Sequence, residues 1–385
     1  MGYISEESLA NLHKYKYGGV DRSLVSRFLL TPYWNQLVKV FPLWVAPNMI
    51  TLLGLSIVGL NVATLFYYAP DLGPCPNWVY YTFGVGLFAY QSLDAIDGKQ
   101  ARRTGASGPL GELFDHAAYL GQSWWTVASL VMSLANFYLS TWEEYHTGVL
   151  YLGHFSGPVE GILMIVAVHL ISGYFGPALW TLRVQEAIPI DFWSCTAETR
   201  LFGALQLNHL LILVGFVVLV VNIVTSMINV IKVKLRPTEF SHPDRSILKA
   251  FFGLTPFVAM CYLTYQWMTL WPDLVDEHLA LFIPVLGLLF GFQVGLMILA
   301  HVAKQPFPYF NMPVLGFLSL GYCYAYLVNI GYMSIQKDHR TILVGLLVVT
   351  LIQYSNFALT VIQQICQYLD IGCLYIKHRQ TVPTQ

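Results

Sequence analysis

Charge is what this sequence has least of: 11% of its 385 residues are Asp, Glu, Lys or Arg, against 56% hydrophobic residues. So small a polar share cannot cover the surface of a soluble globule of this length. The formal net charge of −1 removes any whole-protein steering toward a polyanion, so no nucleic-acid partner is expected. Six cysteines are scattered without a CxxC pair or metal-ligand spacing, which argues against a disulfide framework and a zinc site; Cys75 and Cys195, in loops, read with the others as small hydrophobes. Internal repeats and low-complexity tracts are missing, and the longest polar connection, residues 232–249, is too short to fold alone. Also missing from the first 46 residues, which carry Lys14, Lys16, Arg22, Arg27 and Lys39, is an apolar h-region with a small-residue cleavage site. No signal peptide is expected to be removed, and the first span serves as the insertion signal.

What the sequence does have is long apolar runs: residues 48–68, 78–93, 117–142, 156–180, 205–231, 250–271, 278–303, 312–333 and 341–366. Nearly all approach or exceed the roughly 20 residues a helix needs to cross a hydrocarbon core of about 30 Å. Lipid offers the backbone no hydrogen bonds, and these runs do not alternate as barrel strands would, so the fold class is all-α, a polytopic helical membrane protein with nine visible spans. Between Ser23 and Trp44, apolar Leu24, Phe28, Leu29, Trp34, Leu37, Val38, Val40 and Phe41 mix with Arg27, Asn35 and Lys39. That pattern predicts an amphipathic interfacial helix leading into the first span, with an irregular arm broken at Pro32 as the alternative. The organisation expected is a cytosolic arm and interfacial helix over 1–46, one membrane domain over 47–371 and a cytosolic tail over 372–385.

Chemistry concentrates at the end of the second run, Ser92-Leu93-Asp94-Ala95-Ile96-Asp97-Gly98-Lys99-Gln100-Ala101-Arg102-Arg103, and continues at Leu110-Gly111-Glu112-Leu113-Phe114-Asp115-His116. On a helix Asp94 and Asp97 lie one turn apart and face the same way. Gly98 and Ala101 put the smallest side chains on the neighbouring surface, leaving room for a ligand against the backbone. Asp115 opens or nearly opens the next helical element, with Glu112 and His116 one turn apart beside it. Hard carboxylate oxygens on facing helices make a site for Mg²⁺ (or Mn²⁺), and Arg102 supplies a permanent cation of phosphate-matching geometry. Such a set stabilises a diphosphate undergoing displacement at phosphorus. A single Asp at a membrane boundary is more often a solvated helix end; several carboxylates with Gly, a small residue and Arg at fixed offsets are not, because ionisable groups beside spans are costly.

The pattern Asp94-x2-Asp97-Gly98-x2-Ala101-Arg102-x8-Gly111-x3-Asp115 resembles the signature of the CDP-alcohol phosphotransferase family. Ala46-Pro47-Asn48-Met49-Ile50-Thr51, the run Asp97–Thr104 and Trp142-Glu143-Glu144-Tyr145-His146-Thr147-Gly148 are similar to its eukaryotic choline and ethanolamine branch, particularly the fungal members. The resemblance implies transfer of phosphocholine or phosphoethanolamine from CDP-choline or CDP-ethanolamine to diacylglycerol, releasing CMP, at the cytosolic face of the endoplasmic reticulum or Golgi membrane. It implies that Asp94, Asp97 and Asp115 hold the metal, that Asn48, Gly98, Ala101 and Arg102 meet the CDP moiety, and that His116 takes the proton of the diacylglycerol hydroxyl. A histidine with an ordinary pKa near 6.5 suits that task near neutral pH, and Glu112 one turn away can orient it. Outside the resemblance, Asn48 reads as a helix cap and His116 as a solvated helix-end residue. Glu160, just inside the fourth run, reads either as a supporting group or as an interfacial residue. A homodimer is compatible with the reading.

The chain departs from the family at the fourth motif aspartate, where Tyr119 stands. A phenol with pKa near 10 is neutral and a poor Mg²⁺ ligand. Glu112 to Leu120 also supplies nine residues where a crossing needs roughly 20, so about a dozen residues are expected to be missing after His116. With the Lys/Arg-rich N-terminal region in the cytosol, alternation through nine spans puts Lys232, Lys234, Arg236, Arg245 and Lys249 in the lumen, against the positive-inside tendency. A tenth crossing before residue 143, as the family resemblance implies, returns that loop and the tail with Lys377 and Arg379 to the cytosol. A non-catalytic pseudoenzyme of nine spans is the alternative within the family. A transporter is the alternative outside it, disfavoured because no repeated halves with broken spans are visible.

Overall fold

A computed structural model describes residues 2–14, 19–21, 25–104, 122–152, 158–187, 203–239, 241–332 and 339–377. Among them a helix occupies every one of the nine apolar runs. After the short helix α1 (Thr31–Leu37) come α2 (Pro47–Tyr68), α3 (Asn77–Thr104), α4 (Trp124–Thr147), α5 (Pro158–Phe175), α6 (Leu207–Leu235), α7 (Ile247–Phe252), α8 (Thr255–Leu270), α9 (Leu279–Val302), α10 (Met312–Asn329) and α11 (His339–Leu369). Among the described residues six segments are long and apolar enough to cross a membrane: α2, α6, α7 with α8, α9, α10 and Arg340–Leu369 of α11. Large apolar side chains such as Leu60, Val217, Val221, Ile352 and Leu359 are exposed on their outer faces. Exposure on that scale requires lipid as the solvent, and the chain is an integral membrane protein.

Local chemistry explains where the helices depart from the apolar runs. The run 156–180 stops being helical at Phe175, because Gly176 takes φ of 84° and Pro177 opens a 3-10 turn. The run 250–271 breaks after Gly253, and Pro256 sits in the first turn of the new helix, where its missing N–H costs nothing. The interfacial segment is helical but not uniform. A π-helical turn over Ser26–Leu30 passes into α1, with Pro32 in its first turn, and then into a 3-10 turn over Val38–Val40. One structure that the apolar periodicity does not announce is a parallel pair of three-residue strands, β1 (Gly19–Asp21) and β2 (Leu150–Leu152), with Gly19 opposite Leu150.

The chain packs as two compact units. One consists of Arg22–Met132, Gly153–Val220 and Gly372–Gln385 and carries α1, α2, α3 and α5. In it Leu30, Trp34 and Val38, four residues apart, form one buried cluster with Ile50 of α2 and Leu93 and Ile96 of α3, against which Val159 and Leu163 of α5 pack. Lipid tails are as apolar as leucine, so helices associate here through close approach rather than exclusion from water. Gly86 of α3 shows this: a Cβ there would stand 2.3 Å from Asn61 Nδ2 of α2.

The other unit consists of Met1–Asp21, Ser133–Leu152 and Val221–Ile371. Polar side chains join its helices. Glu143 is buried and accepts hydrogen bonds from Ser226 Oγ (2.6 Å) and Asn229 Nδ2 (2.8 Å), while Trp142 Nε1 donates to the Ala250 carbonyl (2.8 Å) and Tyr138 Oη to that of Gly253 (2.7 Å). The backbone N–H groups of Tyr3 and Ile4 both donate to Gln364 Oε1 of α11, at 2.9 and 3.2 Å, and Gln364 Nε2 donates back to the Ile4 carbonyl at 3.1 Å.

Candidate active site

Helix α3 is continuous from Asn77 to Thr104, so the one-turn spacing of Asp94 and Asp97 is realised and both carboxylates leave the same face. Both are half-buried. Asp97 Oδ2 accepts a hydrogen bond of 2.6 Å from Thr51 Oγ1, one turn inside α2. A hydroxyl donating to a carboxylate over so short a distance fixes the rotamer of that oxygen. Next to it an added Cβ on Gly98 would meet no atom of the described residues within 4 Å.

Two further contacts hold the entrance of α2 against α3. Gln100, fully buried, donates from Nε2 to the carbonyls of Pro42 and Val45, both at 3.0 Å. Lys99 Nζ donates to Asn35 Oδ1 of α1 at 2.8 Å. Together they bind the arm and the following turn to the helix that carries the aspartates. Asn48 does not cap its helix with its side chain: its Nδ2 donates to the Cys373 carbonyl at 2.9 Å, and Val45 pairs with Tyr375 beside it. The segment after α11 thus lies at the head of α2.

Glu160 stands in the first turn of α5, between Val159 and the α3-facing Leu163, and neither carboxylate oxygen has a hydrogen-bond partner among the described residues. The amide of Gln91, one turn before Asp94, is likewise buried without a partner among them. Ala101 and Arg102 lie on the last turn of α3 by backbone. Glu112, Asp115, His116 and Tyr119 fall outside the described residues, and so does the expected gap after His116. Among the described residues no three His, Cys, Asp or Glu side chains converge as metal ligands. Asp94 and Asp97 are two hard oxygen donors on one face, a set that fits Mg²⁺ or Mn²⁺ and needs further oxygens from outside α3.

Thr51 and Gln100 were named in the sequence only as parts of motif segments. Their roles are tertiary. The one signal available beforehand was a hydroxyl, Thr51, inside the apolar run 48–68; Gln100 stands in a polar stretch and offered none.

A profile of the family described as CDP-alcohol phosphatidyltransferase matches residues 44–236, which contain Asn48, Thr51, Asp94, Asp97 and Gly98. The chain is 37% identical over 407 aligned positions to Cholinephosphotransferase 1 of Saccharomyces cerevisiae, covering 99% of each. It is 35% identical to Choline/ethanolaminephosphotransferase 1 of the same yeast (98% of this chain, 99% of the relative) and 34% identical to Choline/ethanolaminephosphotransferase 1 of Arabidopsis thaliana (99% and 100%).

Proposed function

Because this chain belongs to the CDP-alcohol phosphatidyltransferase family, we propose that it transfers phosphocholine or phosphoethanolamine from the CDP-alcohol to diacylglycerol, giving phosphatidylcholine or phosphatidylethanolamine and CMP. The single observation that carries this reading is the Asp94–Asp97 face, fixed by Thr51 and bordered by Gly98, inside the matched family region.

Asp94 and Asp97, with Asp115, are the residues that hold Mg²⁺ (or Mn²⁺). When bound, the ion neutralises charge on the diphosphate. Gly98 and Ala101 let the diphosphate lie against the backbone of α3, and Arg102 and Asn48 bind the CDP portion. His116 accepts the proton of the diacylglycerol hydroxyl as its oxygen bonds to the phosphorus bearing the head group, and CMP leaves with the broken P–O bond. Glu112 orients the imidazole. Residues 47–371 act as one membrane domain, with the reacting groups on the cytosolic side of endoplasmic reticulum or Golgi membrane.

The test is CMP release by purified protein given diacylglycerol, Mg²⁺ and, in parallel, CDP-choline or CDP-ethanolamine. Radiolabelled head group should appear in lipid, and the two donors together measure head-group preference. Solute movement across liposomes with no CMP would refute the enzyme and support a transporter.

A second reading concerns this chain alone: with Tyr119 in place of an aspartate and about a dozen residues short of a full third crossing, it is an impaired version of an active enzyme. The 407 positions aligned with the yeast cholinephosphotransferase exceed the 385 residues of the chain, so the relative carries residues without a counterpart here, which supports that reading.

A further inference from the structure

The unit without the aspartate motif contains a cavity of about 230 Å³, walled by Tyr145 and His146 at the end of α4, Lys234 at the end of α6, His242 and Asp244 in the following turn and Lys249 in α7. At about 30 Å³ per water it has room for a polar group of several heavy atoms. Its polar wall is mostly committed. Asp244 N–H donates to His242 Nδ1 at 3.2 Å, so that nitrogen is the acceptor and the proton is on Nε2, which lies 3.1 Å from Tyr145 Oη. Tyr145 Oη in turn donates to the Gln305 carbonyl at 3.0 Å. The chain of donors closes with His242 neutral, in keeping with the lowering of its pKa by burial and by Lys234.

Three groups keep capacity for a ligand. His146 is only 3% exposed, its ring is stacked on Phe307 with centroids 6.0 Å apart, and neither of its nitrogens has a hydrogen-bond partner among the described residues. Lys234 donates to the Asp244 carbonyl, and Lys249 meets Asp244 Oδ2 at 3.3 Å. An ammonium has three donors, so each lysine retains others. Two lysines against one aspartate leave the wall with a net positive charge, and Lys304 adds to the field at His242. A buried unpaired imidazole beside two ammonium groups matches an oxyanion with several acceptor oxygens.

The surroundings select the source of that oxyanion. Tyr309, also on the cavity wall, donates to the Lys249 carbonyl at 3.2 Å and has the Phe252 ring at 5.5 Å; Phe310 lies 6.3 Å from Phe252. Leu248 and Phe310 are 82% and 72% exposed, and Leu248 lies in the first turn of α7. A polar cavity bordered by bare apolar side chains at the ends of spanning helices has the two-part character of a phospholipid.

We propose that this cavity binds the phosphate of a glycerophospholipid from the surrounding bilayer, held by Lys234, Lys249 and His146, with its glycerol and acyl carbons over Phe252 and Phe310. It is a lipid site separate from the residues assigned to the reaction.

The experiment is a thermal-unfolding titration of the full purified chain in detergent with EDTA, which keeps divalent ions from the aspartate motif. Dihexanoylphosphatidylglycerol should raise the midpoint saturably. Lys249→Gln, at an exposed position that tolerates change, and His146→Gln should each weaken the apparent affinity about tenfold, the loss expected for one charge-assisted or buried hydrogen bond. Circular dichroism confirms that each variant is folded. Equal affinity in the wild type and both folded variants overturns the site. Inorganic phosphate binding as tightly as the lipid overturns the assignment to a phospholipid and leaves a free-phosphate site.

Discussion

Thr51 Oγ1 donates to Asp97 Oδ2 across 2.6 Å, a bond between two helices whose partners are 46 positions apart in sequence. It gives the second motif carboxylate a fixed orientation, which a metal ligand needs. Thr51→Val keeps the shape and removes the donor. A hydrogen bond to a charged group is worth about 1.5–3 kcal/mol, so the Mg²⁺ concentration for half-maximal CMP release should rise about tenfold. Asp97→Asn should abolish Mg²⁺-dependent product. Retained full activity in Asp97→Asn would refute the metal role.

Gly98 separates stability from function. Replacing a helical glycine by leucine gains about 0.8–1 kcal/mol in helix propensity, and no atom of the described residues within 4 Å opposes a Cβ there. Gly98→Leu is therefore expected to unfold no more easily than the parent while losing at least about tenfold in kcat/KM for the CDP-alcohol, since the side chain takes the donor's space. Undiminished turnover would show that the substrate does not lie against this backbone.

Glu143 tests the second unit. In membrane proteins interhelical hydrogen bonds average about 0.6 kcal/mol, but this acceptor is a buried carboxylate whose removal also strands Ser226 and Asn229. Glu143→Ala should destabilise the protein by about 2 kcal/mol, and Glu143→Gln by about half as much, read from unfolding midpoints in one detergent.

Stability should also depend on pH through the turn after α6. His242 has its pKa held below the ordinary value of 6.5 by burial first, then by Lys234 and Lys304, with Asp244 opposing. The unfolded chain then takes up the proton first, so the stabilisation is complete above about pH 6.5 and is lost as pH falls toward the folded-state value. Asp244, held low chiefly by the Ser246 N–H and by Lys249, acts in the same direction below about pH 4. The unfolding midpoint should fall between pH 7 and 5, and His242→Gln should flatten that fall. Superimposable profiles would remove His242 from the explanation.

The shortened segment has its own test. Sequencing the transcript across the codons for His116 to Gly121 is expected to reveal an in-frame continuation of about a dozen codons, the deficit against a crossing of roughly 20 residues. An uninterrupted match to the present chain would exclude an assembly error. A normal rate of phosphocholine transfer by that chain would then refute the need for a fourth carboxylate.

Among the described residues the helices within the apolar runs were legible because apolar run length is a direct physical requirement of lipid. The Asp94–Asp97 face was legible because it depends only on the period of one helix. Where a run breaks was less so: Gly176 and Gly253 look like any other glycine until the backbone shows one at positive φ and the other at a helix end. Thr51, Gln100 and the hydrogen bond from Asn48 to Cys373 were hidden for another reason. Each depends on which segment arrives from elsewhere in the chain, and hydropathy carries no record of that.

The bonds from Tyr3 and Ile4 to Gln364 have a consequence for the order of assembly. Their partners are about 360 positions apart, and a ribosome adding about 5–20 residues per second needs about 20–70 seconds to cover that interval. Throughout that time the beginning of the chain has no Gln364 to bind, and Ile4, buried in the finished protein, must stay in water or under a chaperone. The unit is closed by α11, which is made after its other described helices, so a nascent chain stalled before α11 should expose Tyr3 and Ile4 to protease although those helices are already made.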